Sequence, residues 1–134
     1  MERATIARPR AAVLLSGGEL LDGRVRDRNG PCLAASLSAR GVHVSHLLTA
    51  PDDLDVLVAD LRFLLADEPD VLVISGGLGT THDDLTSEAV AGALGRELVE
   101  DPEARRMVEE RLSDVARRRG LDTGPLLEQA LKQA

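Results

Sequence analysis

Apolar residues along this chain follow two rhythms. Short unbroken runs, AAVLLS at 11–16 and DVLVIS at 70–75, have the length and composition of strands buried inside a parallel sheet. A third run, VHVSHLLTA at 42–50, reads as a strand with Val42, Val44 and His46 on one face. In that reading His43 and His46 point to opposite faces and cannot share a metal.

Between these runs the spacing changes to 3.6. Leu54, Leu57, Val58, Leu61, Leu64 and Leu65 obey the i, i+3, i+4, i+7 rule and predict a helix capped by Asp52. Leu33, Ala34 and Leu37 mark an earlier helix, opened by Asn29 and stopped at Gly41. Thr86 opens another, through Val90, Ala91 and Leu94 to Gly95. Asp101-Pro102 starts the next, with Met107, Val108, Leu112 and Val115 as its inner face and Gly120 as its end. A short last helix is expected over 125–133.

Strand and helix thus alternate three times, which predicts an α/β fold, a doubly wound parallel sheet in a single domain spanning 1–134. In such sheets ligands gather beyond the carboxyl ends of the strands. The two longest glycine-bearing loops, 17–28 and 76–85, both follow strands.

Composition narrows the function. Phe63 is the sole aromatic residue, so the core must be built from Leu, Val and Ala. Recognition of single-stranded nucleic acid by stacking is correspondingly disfavoured. A net charge of −7 argues against nucleic acid and anionic membranes as partners. The single cysteine, Cys32 in NGPCLAASL, supports neither a disulfide framework nor a thiolate zinc site, and looks like the buried side of a helix. No apolar run reaches membrane-spanning length and 1–10 lacks a signal-peptide core, so a cytoplasmic location is expected. Arg117, Arg118 and Arg119 suit the solvated last turn of a helix, where cations favour the dipole.

The densest chemistry is the stretch SGGLGTTHDDLT at 75–86. Gly76, Gly77 and Gly79 lack a Cβ, so successive amides there can approach an anion, with the next helix adding the positive end of its dipole. The loop matches neither the dinucleotide fingerprint nor a Walker motif. On the glycines alone, a tight strand-to-helix turn is as good a reading. Asp83 and Asp84 add a conflict: two carboxylates repel an anion unless a cation bridges them, and Mg2+ held by carboxylate and phosphate oxygens resolves it. Thr80, Thr81 and Thr86 offer hydroxyls, Thr86 also being a natural helix cap, and His82 reads as exposed. The first loop contributes Glu19, Asp22, Asp27 and Asn29. With Asp52 assigned to capping, Asp53 remains as a further candidate. Singly these residues read as structural; their common edge of the sheet is the stronger point.

Taken together, GGELLDGRVRDRN, PDD and SGGLGTTHDDLTSEAVAGALGRELVEDPEA resemble the molybdopterin-binding MoaB/Mog-type domain, most of all the N-terminal domain of CinA, the competence/damage-inducible protein A. The resemblance runs from about Val13 to the end. It implies a three-layer α/β sandwich with a mostly parallel central sheet, a homo-oligomer (dimer or trimer), and a site at these same loops. It also implies a phosphorylated ligand: molybdopterin in the molybdenum-cofactor branches, or an ADP-ribose-like nucleotide cleaved by a metal-dependent pyrophosphatase in the CinA branch. A degenerate, non-catalytic oligomerisation domain is the third reading. Carried over by position, Gly76, Gly77 and Gly79 match the glycine loop, Asp84 and Thr86 its acidic and hydroxyl positions, and Asp83 the CinA-like doublet. Glu19 matches the glutamate of the first loop, and Asp27 and Asn29 match the Asp-x-Asn that opens the next helix. Phosphate contacts are expected from the three glycines, Thr81, Thr86, Asp27, Asn29 and Asp53. Asp83, Asp84 and Glu19 are the expected Mg2+ ligands, and Asp84 with Glu19 would position metal and water in catalysis. Two departures stand out: Gly18 replaces the usual Asp, and relatives continue past a segment like KQA into a further strand, so the domain reads as truncated at its C-terminal end.

Overall fold

A computed structural model describes residues 8–120, 127–128 and 130–131. Three parallel strands, β1 (Arg10–Ser16), β2 (His43–Ala50) and β3 (Val71–Ser75), form one sheet in the order β2-β1-β3. The helices are α1 (Gly18–Leu21), α2 (Asn29–Ala39), α3 (Leu54–Ala66), α4 (Thr86–Leu94) and α5 (Pro102–Arg119). Central β1 is hydrogen-bonded on both edges and buried throughout from Ala11, which is why its sequence is apolar without alternation.

Alternate residues of β1 face different layers. Ala12 and Leu14, with Ala50 of β2, pack against Leu57, Leu61 and Leu64 of α3 and Ala89 of α4. On the opposite side Leu15 lies against Gly30 at the start of α2, which packs on β1 and β2. Helix, sheet and helix make three layers, an α/β sandwich. The core is aliphatic, as the missing aromatics require; Phe63 is mostly exposed. Cutting back any of the three buried α3 leucines to alanine costs about 2–5 kcal/mol.

Several local expectations shift by a residue. Asp53, in extended conformation, accepts the Val56 amide at 3.1 Å and is the α3 cap in place of Asp52. Asn29 is already inside α2, and Asp27 takes the Gly30 amide at 3.0 Å. Thr86 is the first helical residue of α4, with Leu85 at the cap. The cap is set by where helical dihedrals begin, which adjacent polar residues leave open. Asp101 does cap α5 ahead of Pro102, and Gly95 and Gly120 do end α4 and α5 in left-handed conformation.

A bulge at Ser45 changes the face of β2. Val44 aligns with Ala11 but His46 aligns with Ala12, so one residue is skipped. His46 therefore leaves the face of Val44 and meets the Phe63 ring edge-on, centroids 5.6 Å apart. His43 aligns with Arg10 and His46 with Ala12, two residues apart on β1, so the two stand on the same face after all.

Cys32 is exposed, because Gly30, Leu33, Ala34 and Leu37 occupy the covered positions of α2. The expected inner face of α5 is only partly covered: Met107 is 60% exposed, Val108, Leu112 and Val115 are half-buried, and Ala116 is the buried residue of the helix. Periodicity shows that one side of a helix is apolar, not that something lies against it. Most of the helix expected over 125–133 falls outside the described residues, although Leu127, Glu128 and Ala130 are helical.

The amino ends of the strands are closed by charge. Arg10 donates to the Asp67 carboxylate and carbonyl, and its amide donates to Asp70 at 2.7 Å. Ser45 and His46 also approach Asp67, each at 3.4 Å. The Arg10 hydrogen bond outweighs the desolvation of Asp67 and, helped by Coulomb attraction, holds its carboxyl below the ordinary value.

Candidate functional site at the carboxyl ends of the strands

β1 ends at Ser16 and β3 at Ser75, and the chain leaves both strands on glycine. Gly76 and Gly77 have φ of 101° and 61°, a region that side chains disfavour. Space forbids side chains there as well. A Cβ on Gly76 would overlap the Ser16 carbonyl oxygen, and one on Gly77 would lie 2.5 Å from the Thr86 hydroxyl. Thr86 is 4% exposed; its hydroxyl donates to the Gly76 carbonyl at 2.8 Å and its amide to the Gly77 carbonyl at 3.2 Å. Bare main chain is thereby clamped between the end of β1 and the start of α4.

The first loop is fastened by a residue that sequence reasoning assigned elsewhere. Asp52 accepts the Ser16 hydroxyl at 3.0 Å and the Gly18 amide at 2.9 Å, so it staples the end of β2 to the start of α1. The PDD doublet held the signal, since only one of two adjacent acids can cap α3; the one left over is Asp52, not Asp53. Asp53, expected among the ligand contacts, has its carboxylate engaged by its own helix. Asn29 reaches across the sheet edge and donates its side-chain amide to the Ser75 hydroxyl at 2.9 Å.

These loops enclose an open cleft of about 550 Å3, whose lining includes Ser16, Glu19, Asp27, Asn29, Ser75 and Gly76. Its size suits a nucleotide or pterin better than a lone phosphate ion. Arg24, Arg26 and Arg28 line it too, residues to which the sequence reading gave no role.

Asp84 belongs to a neighbouring depression of about 200 Å3, shared with Gly77, Gly79 and Glu88. Its carboxylate accepts the Thr81 amide at 2.8 Å and hydroxyl at 2.6 Å, and it lies so close to Gly79 that a Cβ there would be 2.5 Å away. Asp83 pairs with the exposed His82 at 2.6 Å, and the Glu19 carboxylate lies beside Gly17. The proposed metal set of Glu19, Asp83 and Asp84 is thus not assembled. Among the described residues no three or more His, Cys, Asp or Glu side chains converge in a way that could hold an ion. Asp83 and Asp84 have turned to local partners, and the single crevice expected from the sequence is two adjoining hollows, one lined by Gly76 and the other by Gly77.

A family model described as a probable molybdopterin binding domain matches residues 12–131, nearly the whole chain. The chain belongs to this family. As a molybdopterin-binding-type domain it is 46% identical over 109 residues to a CinA-like protein of Mycobacterium sp. (strain JLS). That match takes in 81% of the chain but 25% of the mycobacterial protein, so the domain spans about a quarter of the length of such relatives. Among solved structures, a CinA protein of unknown function from Thermoplasma acidophilum superposes with a TM-score of 0.74 at 32% identity, covering 92% of this chain and 67% of that one. The molybdopterin biosynthesis Mog protein of Mycobacterium ulcerans shares the fold, with a TM-score of 0.58 at 23% identity over 92% of this chain and 72% of its own. No helix among the described residues of the domain is long and apolar enough to cross a membrane.

Proposed function

We propose that this domain binds a phosphorylated pterin or an adenine nucleotide in the 550 Å3 cleft, with a phosphate against the main chain at Ser75–Gly76. The observation that carries the reading is the clamped pair Gly76 and Gly77, held in conformations and spaces that exclude any side chain, one of them at the wall of a ligand-sized cleft. Exposed main-chain amides in such a turn attract anions without a lysine or arginine. Membership of a family described as a probable molybdopterin binding domain favours a pterin; the likeness to CinA-like proteins keeps the nucleotide as the alternative.

Binding is favoured over hydrolysis. Glu19 and Asp84, the pair expected to act together, line different hollows, and no three-ligand metal centre is preformed among the described residues. A divalent cation fits only as part of the ligand complex, held by one carboxylate and the ligand's own phosphate oxygens with water completing its shell.

Titration calorimetry with molybdopterin, AMP and ADP-ribose, each with and without Mg2+, tests the proposal. Saturable binding that Mg2+ strengthens, with no product in the cell, is expected. Absence of saturable binding for all three ligands would refute it, and release of AMP from ADP-ribose would transfer the domain to the pyrophosphatase reading.

A further inference from the structure

Three arginines stand in the short segment 24–28 and all three line the cleft. They are not equivalent. Arg24 is held by Asp22, through both its amide (3.0 Å) and its guanidinium (2.5 Å). Arg26 and Arg28 are exposed, and their guanidinium groups have no hydrogen-bond or ion-pair partner among the described residues; Arg28 is engaged only through its main-chain carbonyl, which accepts the Cys32 amide. Acids are close at hand in a chain of net charge −7, and elsewhere Arg10 and Arg117 each pair with one acid and Arg105 and Arg106 each with two. Asp27, between the two arginines, is turned to the Gly30 amide instead. Glu19, also in the lining, lies beside Gly17. Two guanidinium groups are therefore left available on the rim of a concave, ligand-sized space.

The same cleft has Ser16, Ser75 and Gly76 on its strand side. A phosphate against the main chain there uses the part of the cleft nearest the sheet and leaves the arginine segment to something else. Guanidinium groups bind phosphate oxygens in a planar, two-pronged way, and two of them suit a group carrying more than one anionic oxygen. We propose that Arg26 and Arg28 form a second anion subsite, so that the cleft selects ligands with two phosphoryl groups, as in a diphosphate-linked nucleotide, over ligands with one. This inference rests on the phosphate-binding reading of the cleft and deepens it.

The test is calorimetry with AMP as the one-phosphate probe and ADP-ribose as the two-phosphate probe, on the unaltered protein and on Arg26→Gln, Arg28→Gln and the double variant. Both positions are exposed, so the variants are expected to keep the parent's thermal melt. The unaltered protein should bind ADP-ribose more tightly than AMP, with a steeper loss of affinity as salt rises. The double variant should lose tenfold or more in ADP-ribose affinity while AMP affinity changes less than threefold. If both probes bind but the arginine variants affect neither, or weaken both equally, the subsite is overturned and the phosphate reading stands. If the unaltered protein binds neither probe, the phosphate reading fails and the subsite with it.

Discussion

The hydroxyl of Thr86 donates to the carbonyl of Gly76 across 2.8 Å, and this bond joins the first residue of α4 to the first residue beyond β3. Because Thr86 is almost fully buried, its removal leaves a shielded carbonyl without its donor. Thr86→Val, which keeps the shape, is expected to destabilise the domain by about 1–3 kcal/mol. Thr86→Ser, which keeps the donor, should lose clearly less. Urea melts of both variants against the parent check the order; equal losses would show that the methyl matters and the hydrogen bond does not.

Gly76→Ala meets two obstacles, a φ of 101° and the Ser16 carbonyl oxygen. Gly23→Ala meets one, since Gly23 has a φ of 76° but open space around it. Backbone strain alone costs about 1–2 kcal/mol. The Gly76 variant should therefore lose distinctly more stability than the Gly23 variant, and lose phosphate-ligand binding as well. Parallel melts and calorimetry with AMP decide this, and a Gly76 variant that behaves like the Gly23 one would show that neither fold nor binding needs the clamp.

Asp52 bridges Ser16 and Gly18, and so sets where α1 carries Glu19. Its side chain is exposed, which screens the two bonds and limits the cost of Asp52→Ala to about 1 kcal/mol of stability. The larger effect should fall on affinity, about tenfold for AMP, because the loop at the cleft wall loses its anchor. Asp53→Ala should do the reverse, costing about 1 kcal/mol through the lost α3 cap and leaving affinity within twofold. Comparing the two variants by melt and by calorimetry separates the roles.

Asp67 at the far end of the sheet provides a pH prediction. Its carboxyl titrates below the ordinary 3.8, chiefly because of the Arg10 hydrogen bond. A carboxylate lowered on folding contributes stability that is fully present above its unfolded value and lost as pH falls through the folded one. Arg10 is shifted upward by the same contact, and its contribution persists until pH rises beyond the guanidinium range. Neutral pH thus lies inside both windows, and acid is where the pair fails. Asp67→Asn should lower stability at pH 7 and flatten its decline between about pH 5 and pH 3. Urea midpoints across that range measure it; an unchanged acid limb would assign the decline to other carboxylates.

What could be read in the letters was whatever neighbours along the chain decide. The strand runs, the leucine spacing of α3, the Asp101-Pro102 start and the glycine stops at Gly95 and Gly120 all express local preferences for backbone conformation and for burying one face. The gathering of Glu19, Asp27, Asn29 and Gly76 around one cleft was legible too, because parallel strands in an alternating fold bring their following loops to one edge. Contacts between distant residues were not. The skipped residue at Ser45 depends on pairing with β1, and Asp52 finds its partners only when β2 ends beside Ser16 and Gly18. The separation of Asp84 from Glu19 follows from the path of two glycines between them and from the pull of Thr81. Charge and periodicity say which groups a chain can offer; the direction each one faces is settled by three-dimensional competition for hydrogen-bond partners, which no linear pattern records.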